Sequence, residues 1–280
     1  MPIKLLKKIK LSHSPNNTYG VGTNMLYKQF SSRHVLGAYI FPCRDLKSRQ
    51  ALFNDGFPSL IFMPKSTDGV RLQKKDEIIH LKSAWACCGI IQDTHWEIPD
   101  GLEYIFVLRF KPASFYSLFE IDPIVFQSNP VCSFQDLVSE KWMSVIDEMY
   151  QKESPLEKAQ FLDHVLSSHN TDDYLPHFLQ ATIDHIEEQK GNTTVSDVLN
   201  ALDNKVNHKW LHRNFVKYMG LSPKKYISLQ RFIYAYGRHG ENRSRNLLDT
   251  ALRSGYYDCN HFFKDFKQYI GVTPTQYAWD

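Results

Sequence analysis

Near the end of this 280-residue chain, two sets of side chains recur at helical spacing, one mainly cationic and one combining cations with hydrogen-bonding amides. The first is Lys209, His212, Arg213, Val216 and Lys217; the second is Asn260, Phe263, Lys264, Lys267 and Gln268. At 100° per residue each set falls on one side of a helix. Guanidinium and ammonium groups donate to phosphate oxygens and to the acceptors of guanine, and a carboxamide matches the donor–acceptor edge of adenine. The chemistry available is noncovalent reading of a nucleic-acid duplex. A charged helix face is more often simply solvated, and a single such helix would be explained that way.

The elements that must position these side chains argue otherwise. Behind the first set lie Leu211, Phe215, Tyr218 and Met219; behind the second lie Phe262, Phe266, Tyr269 and Ile270. Each group makes an apolar stripe that must be buried. The two stretches are copies at a constant offset of 51 residues, running from Leu211/Phe262 through Gly220/Gly271 and Pro223/Pro274 to Tyr226/Tyr277. Asn207 and Asp258 are N-cap residues for the two helices, and each helix stops at a glycine followed by a proline. A short helix precedes each; in the second copy it spans 246–254 and turns at Gly255. A helix, a tight turn and a second amphipathic helix with a cationic outer face form a helix-turn-helix. Two such units can read successive major-groove faces about 34 Å apart. Repetition of the same face, caps and stops makes the merely solvated face the weaker explanation.

Leu211, Arg213, Phe215, Gly220, Ser222-Pro223, Arg231, Ala235, Ala251, Gly255-Tyr256, Phe262, Phe266, Gly271, Pro274 and Tyr277 resemble the signature of AraC/XylS-type transcriptional regulators, with the densest match over residues 255–267. The resemblance covers 191–280. It implies that Lys209, His212 and Arg213 read one groove face and that Cys259, Asn260, Phe263 and Lys264 read the other; Lys217 and Lys267, on the same outward helix faces, are expected as further cationic DNA contacts. It also implies a linking helix from Pro223 to about Arg238, with Tyr226 and Leu229 in the core and Arg231 at the junction. The chain departs from the pattern in two places. Asp203-Asn204-Lys205-Val206 replaces the usual glycine turn and is slightly stretched. Cys259 and Phe263 occupy positions often held by polar base readers; they contact a thymine methyl or shift specificity, or Cys259 is a buried structural thiol.

Charge is distributed in keeping with this. The net charge is only +3, but residues 191–280 carry 13 Lys/Arg against 7 Asp/Glu, while the first 190 are slightly acidic. A basic module joined to an acidic one fits nucleic-acid binding by the module alone. Five cysteines without metal-ligand or C-x-x-C spacing are expected to be reduced thiols, with adjacent Cys87-Cys88 as a redox sensor the minor alternative. No apolar run approaches a membrane span. The basic run over 4–10 is not followed by a signal-peptide core, so a cytoplasmic protein with no membrane partner is expected.

The first 190 residues read as mainly β and then helical. Runs at 35–41, 60–63, 77–91 and 102–110 are separated by turn signals at Asn54-Asp55-Gly56 and Pro99-Asp100-Gly101. Helical spacing follows at 134–150, 156–166 and 176–188, and 167–173 is loop-like. The expected fold class is α+β: an N-terminal β-barrel or sandwich-like domain (1–125) with a helical segment for linkage or dimerisation (126–190), then an all-α double helix-turn-helix domain (191–280). Residues 110–119, with Asp55-Gly56 and Leu60-Ile61-Phe62, resemble the N-terminal domain of a subset of these regulators. That implies a small-molecule sensor, a dimerisation domain, or both.

The expected function is a sequence-specific DNA-binding transcriptional regulator, with activation favoured by the resemblance. Double-stranded DNA, RNA polymerase, a small-molecule effector and a second copy are its expected partners. The alternative is a DNA-modifying or repair enzyme that uses the C-terminal module as an address, or an architectural binder indifferent to sequence. No catalytic residue, cofactor or metal ligand set is expected: the eight histidines of the first 190 residues (His13, His34, His80, His95, His164, His169, His177, His185) have no ligand spacing. His95-Trp96-Glu97 lines a pocket or is an ordinary strand-end cluster, and Tyr39, Phe41, Phe62, Tyr104 and Phe106 are core or the wall of an apolar cavity.

Overall fold

The computed structural model describes residues 2–3, 5, 26–28, 30–44, 46, 48–64, 69–169, 175–241 and 246–279. All but Leu5 of the basic run 4–10, His13 and most of the loop-like stretch 167–173 lie outside the described residues. The chain divides into two compact units, Met1–Tyr174 and Leu175–Asp280.

Among the described residues of the first unit, ten strands form two antiparallel sheets. The larger is ordered β1(Leu26–Lys28), β2(Val35–Pro42), β9(Tyr104–Phe110), β4(Ser59–Phe62), β7(Ala84–Cys87), β10(Val131–Ser133). The smaller is β3(Arg49–Ala51), β8(Thr94–Glu97), β5(Val70–Lys74), β6(Glu77–Leu81). The sheets do not close, so of the two β architectures expected the barrel is wrong and the layered form stands. Side chains alternate along each strand. On β9, Phe106, Leu108 and Phe110 join one core, whereas Ile105, Val107 and Arg109 fall on the other face. The first core is closed by helices α1(Pro112–Leu118), α2(Val125–Ser128), α3(Glu140–Gln151) and α4(Pro155–Ser167). On the second face Trp85 of the large sheet meets Trp96 of the small one, edge to face, with ring centroids 6.0 Å apart. A sheet covered on both sides loses its polar–apolar alternation in sequence, which is why β9 and β7 read as continuous apolar runs.

Two expected boundaries move. The apolar run 77–91 is two strands, broken at Lys82-Ser83. The helix expected from 134 begins at Glu140, after a 3-10 turn over Phe134–Asp136. His95, Trp96 and Glu97 lie within β8 and pair with Ala51, Gln50 and Arg49. Ser154 caps α4 through a reciprocal pair with Glu157, its Oγ accepting from the Glu157 N–H at 3.1 Å.

Buried within the strand layers is an ion pair. Arg109 donates from Nη2 to both carboxylate oxygens of Asp55, at 2.8 and 2.6 Å, and its guanidinium lies 5.5 Å from the Phe57 ring centre. Asp55 is 1% exposed and Arg109 6%. The cysteines Cys43, Cys87 and Cys88 are buried, and Cys132 is half-buried. Desolvation pushes the Cys43 thiol up to about 12 and raises Cys87 and Cys88 as well. These thiols are held protonated, the opposite of what a reactive sensor needs.

The second unit is helical: α5(His177–Glu188), α6(Val195–Ala201), α7(His208–Met219), α8(Pro223–Glu241), α9(Leu247–Arg253) and α10(Cys259–Ile270). The linking helix α8 runs three residues beyond its expected end. It packs against α7 before it and α9 and α10 after it, so one rod organises both copies of the repeat. No helix among the described residues is long and apolar enough to cross a membrane.

Candidate nucleic-acid interface

The repeat survives in three dimensions. Helices α7 and α10 are each 12 residues long and start and stop at the expected offset of 51. Asn207 accepts from the Trp210 N–H at 2.9 Å, and Asp258 accepts from the His261 N–H at 2.8 Å. Gly220 (φ 69°) and Gly271 (φ 90°) take the left-handed conformation that ends each helix. Both helices are therefore held rigidly at their ends.

Their apolar sides are buried against α8. Leu211, Phe215 and Met219 are fully buried, with the Phe215 ring 5.8 Å from Tyr226. Phe262, Phe266, Tyr269 and Ile270 are buried in turn, and Phe232 touches both Phe266 (5.7 Å) and Tyr269 (4.7 Å). Tyr218 departs from expectation. It stays half-buried, with the Lys217 ammonium 4.9 Å from its ring centre. Its register partner Tyr269 has Phe232 to lie on, and such a contact is what a wheel of one helix cannot foresee.

On the opposite sides, Lys209, His212, Arg213 and Lys217 are exposed on α7, and Asn260, Lys264 and Lys267 on α10. Cys259 and Phe263 are half-buried. Phe263 leans on the core through Phe262, at 6.3 Å. The Cys259 thiol is raised by partial burial and by the Asp258 carboxylate. The sequence reading passed over His208, the register partner of Cys259, and Tyr257, which at 89% exposure stands just before the α10 cap. The offset of 51 would have found the first; nothing in the pattern marks the second.

Arg231 does more than mark a junction. Its Nε donates to Gly191 O at 3.0 Å and its Nη2 to Thr193 O at 3.3 Å, while the guanidinium lies 5.7 Å from the Tyr256 ring centre. Tyr256 in turn donates to Asp265 Oδ2 at 2.9 Å. One cation thus ties the entry to the first helix-turn-helix to the turn of the second. Burial raises the Asp265 carboxyl, with the Tyr256 hydroxyl and Arg231 opposing.

The two turns differ. The second uses Gly255 (φ 82°), as expected; a Cβ there would lie 2.4 Å from Asn192 Oδ1. The first is one residue longer and places Asp203 (φ 51°) and Asn204 (φ 53°) in the left-handed region. Asn and Asp tolerate that region better than other L-residues but less well than glycine. Asn204→Gly is expected to raise the unfolding free energy by about 0.5–1 kcal/mol in urea titration, and Asn204→Val to lower it by about 1–2 kcal/mol. Equal stability of both variants would show that the turn is not held as described.

Comparison with known proteins agrees with this geometry. Residues 204–278 match the helix-turn-helix domain family. The chain is 30% identical over 108 residues, 38% of its length, to the HTH-type transcriptional activator RhaS of Enterobacter sp. (strain 638), covering 36% of that protein. It is 29% identical over 84 residues to the melibiose operon regulatory protein of Escherichia coli (strain K12), covering 27% of that protein. The chain thus spans about a third of the length of the curated relatives it matches. Among solved structures it is similar to ToxT from Vibrio cholerae, over 91% of this chain and 96% of that one, at 15% identity and a TM-score of 0.44. Residues 204–278 of the C-terminal unit thus form a helix-turn-helix domain.

Proposed function

We propose that the whole chain is a cytoplasmic, sequence-specific transcriptional regulator that activates by binding two successive major-groove segments, and that it is not an enzyme. The observation that carries this is the register-matched pair α7 and α10, each buried behind and cationic or amide-bearing in front, braced on the single rod α8. Lys209, His212 and Arg213 form the reader of one segment, Cys259, Asn260, Phe263 and Lys264 that of the other, and Lys217 and Lys267 add charge toward phosphate. The sandwich of the first unit serves effector sensing, self-association, or both, and RNA polymerase is the partner through which bound activator acts. Among the described residues no group of three or more His, Cys, Asp or Glu side chains could hold a metal ion.

Selection of bound sites from random duplexes with the full chain tests this. A recovered motif is expected, and Arg213→Ala should weaken its binding by about 1–3 kcal/mol at one base pair while relaxing preference there. Equal weakening on every sequence would reassign Arg213 to phosphate. Failure to enrich any motif would leave sequence-indifferent binding as the better account.

A further inference from the structure

The two readers share a frame and differ in chemistry. At the offset of 51, Lys209 corresponds to Asn260, His212 to Phe263 and Arg213 to Lys264. Helix length, cap type and terminating glycine are the same in both copies, so what distinguishes the two faces is the side chains they carry. The face of α7 is wholly polar at these positions, and all three side chains are exposed. That of α10 sets a half-buried phenyl ring between an exposed amide and an exposed ammonium, with the half-buried Cys259 thiol one turn before it.

We infer, on the footing of the proposed function, that this protein recognises an asymmetric operator: a guanine-containing segment under α7 and an A·T-rich segment, with thymine methyls toward the protein, under α10. Arg213 matches guanine O6 and N7 in bidentate fashion, and Lys209 adds a second donor toward the same acceptors. Asn260 matches adenine N6 and N7, and the apolar ring of Phe263 has one natural partner in the major groove, the C5-methyl of thymine. A G·C pair opposite Phe263 would instead bury the cytosine N4 donor or the guanine acceptors against carbon and leave them without partners, which costs affinity. The part of the Phe263 ring left exposed is the apolar surface such a contact would desolvate; the ring is half-buried, with its centre 6.3 Å from that of Phe262. The two segments are therefore not interchangeable, and the protein binds its site in one direction only.

The experiment is site selection with the full chain, followed by base replacement within the recovered site. One segment is expected to fix a guanine and the other, about one helical turn away, to be A·T-rich. Exchanging thymine for uracil removes only the methyl; it should weaken binding about fourfold per contacted methyl in the α10 segment and leave the α7 segment unaffected. The Asn260→Lys/Phe263→His double variant, which gives α10 the readers of α7 at two positions, should lose the uracil effect and select two similar guanine-containing segments. Two like segments from the unaltered chain, a uracil effect confined to the α7 segment, or an A·T preference that persists in a folded double variant would each overturn the inference while leaving DNA reading intact. Recovery of no motif would remove both.

Discussion

Replacing Asp55 by Ala should destabilise the N-terminal unit by about 3–5 kcal/mol. The Arg109 guanidinium would keep its burial and lose both oxygens that face it, at 2.8 and 2.6 Å. A buried charge left unpaired is among the costlier defects a fold can carry, whereas removing both members and filling the space is often neutral. Asp55→Leu/Arg109→Met is accordingly expected to recover most of the loss. Urea unfolding followed by tryptophan fluorescence is a suitable measurement, because Trp85 and Trp96 lie in contact between the two sheets. If Asp55→Ala costs less than about 1 kcal/mol, the pair is not dry in solution and the packing between the layers is looser than described.

Gly191→Ala should damage the C-terminal unit to a similar extent, on the order of 3–5 kcal/mol, from left-handed strain and overlap together. Gly191 has φ 71°, and a Cβ there would lie 2.2 Å from Arg231 N and 2.6 Å from Ile227 O. Both are backbone atoms of α8 and cannot rotate away. The carbonyl of the same glycine accepts from Arg231 Nε, so displacement would also loosen the tie to Tyr256. On the proposed function DNA affinity should fall with stability, since α7 and α10 are both braced on α8. Gly237→Ala supplies the contrast. It sits within α8 with nothing inside 4 Å of its added Cβ, and the exchange should stabilise the helix by about 0.5–1 kcal/mol. Thermal unfolding that moves the two variants in the same direction would contradict the placement of Gly191.

How far the sequence reached differs between the two units. In the C-terminal unit the relevant interactions are local: a cap reaches three residues along, a stripe repeats every three or four, and a left-handed glycine ends the helix it follows. Each leaves a mark in composition, and the duplication makes each mark visible twice. In the N-terminal unit the strands β1, β3, β5 and β10 were missed, and of β8 only a strand-end cluster at His95-Trp96-Glu97 was expected. They are three to five residues long, too short to establish a period of two, and they become strands only because a neighbour supplies hydrogen bonds. The barrel expectation failed for a related reason, since closure depends on whether edge strands meet, which strand count does not decide.

What the sequence determined by itself was the pair of helices α7 and α10: their bounds, all of their buried faces but Tyr218, and the chemical difference between Lys209, His212, Arg213 and Asn260, Phe263, Lys264. Only the tertiary structure decided that Asp55 meets Arg109 across 54 residues, that Arg231 joins Gly191 and Thr193 to Tyr256, and that Tyr269 is sealed while Tyr218 is not. Those contacts belong to pairs of elements rather than to any one of them. A side chain's local spacing fixes the direction in which it leaves the backbone, and the partner it finds there depends on every other choice the chain has made.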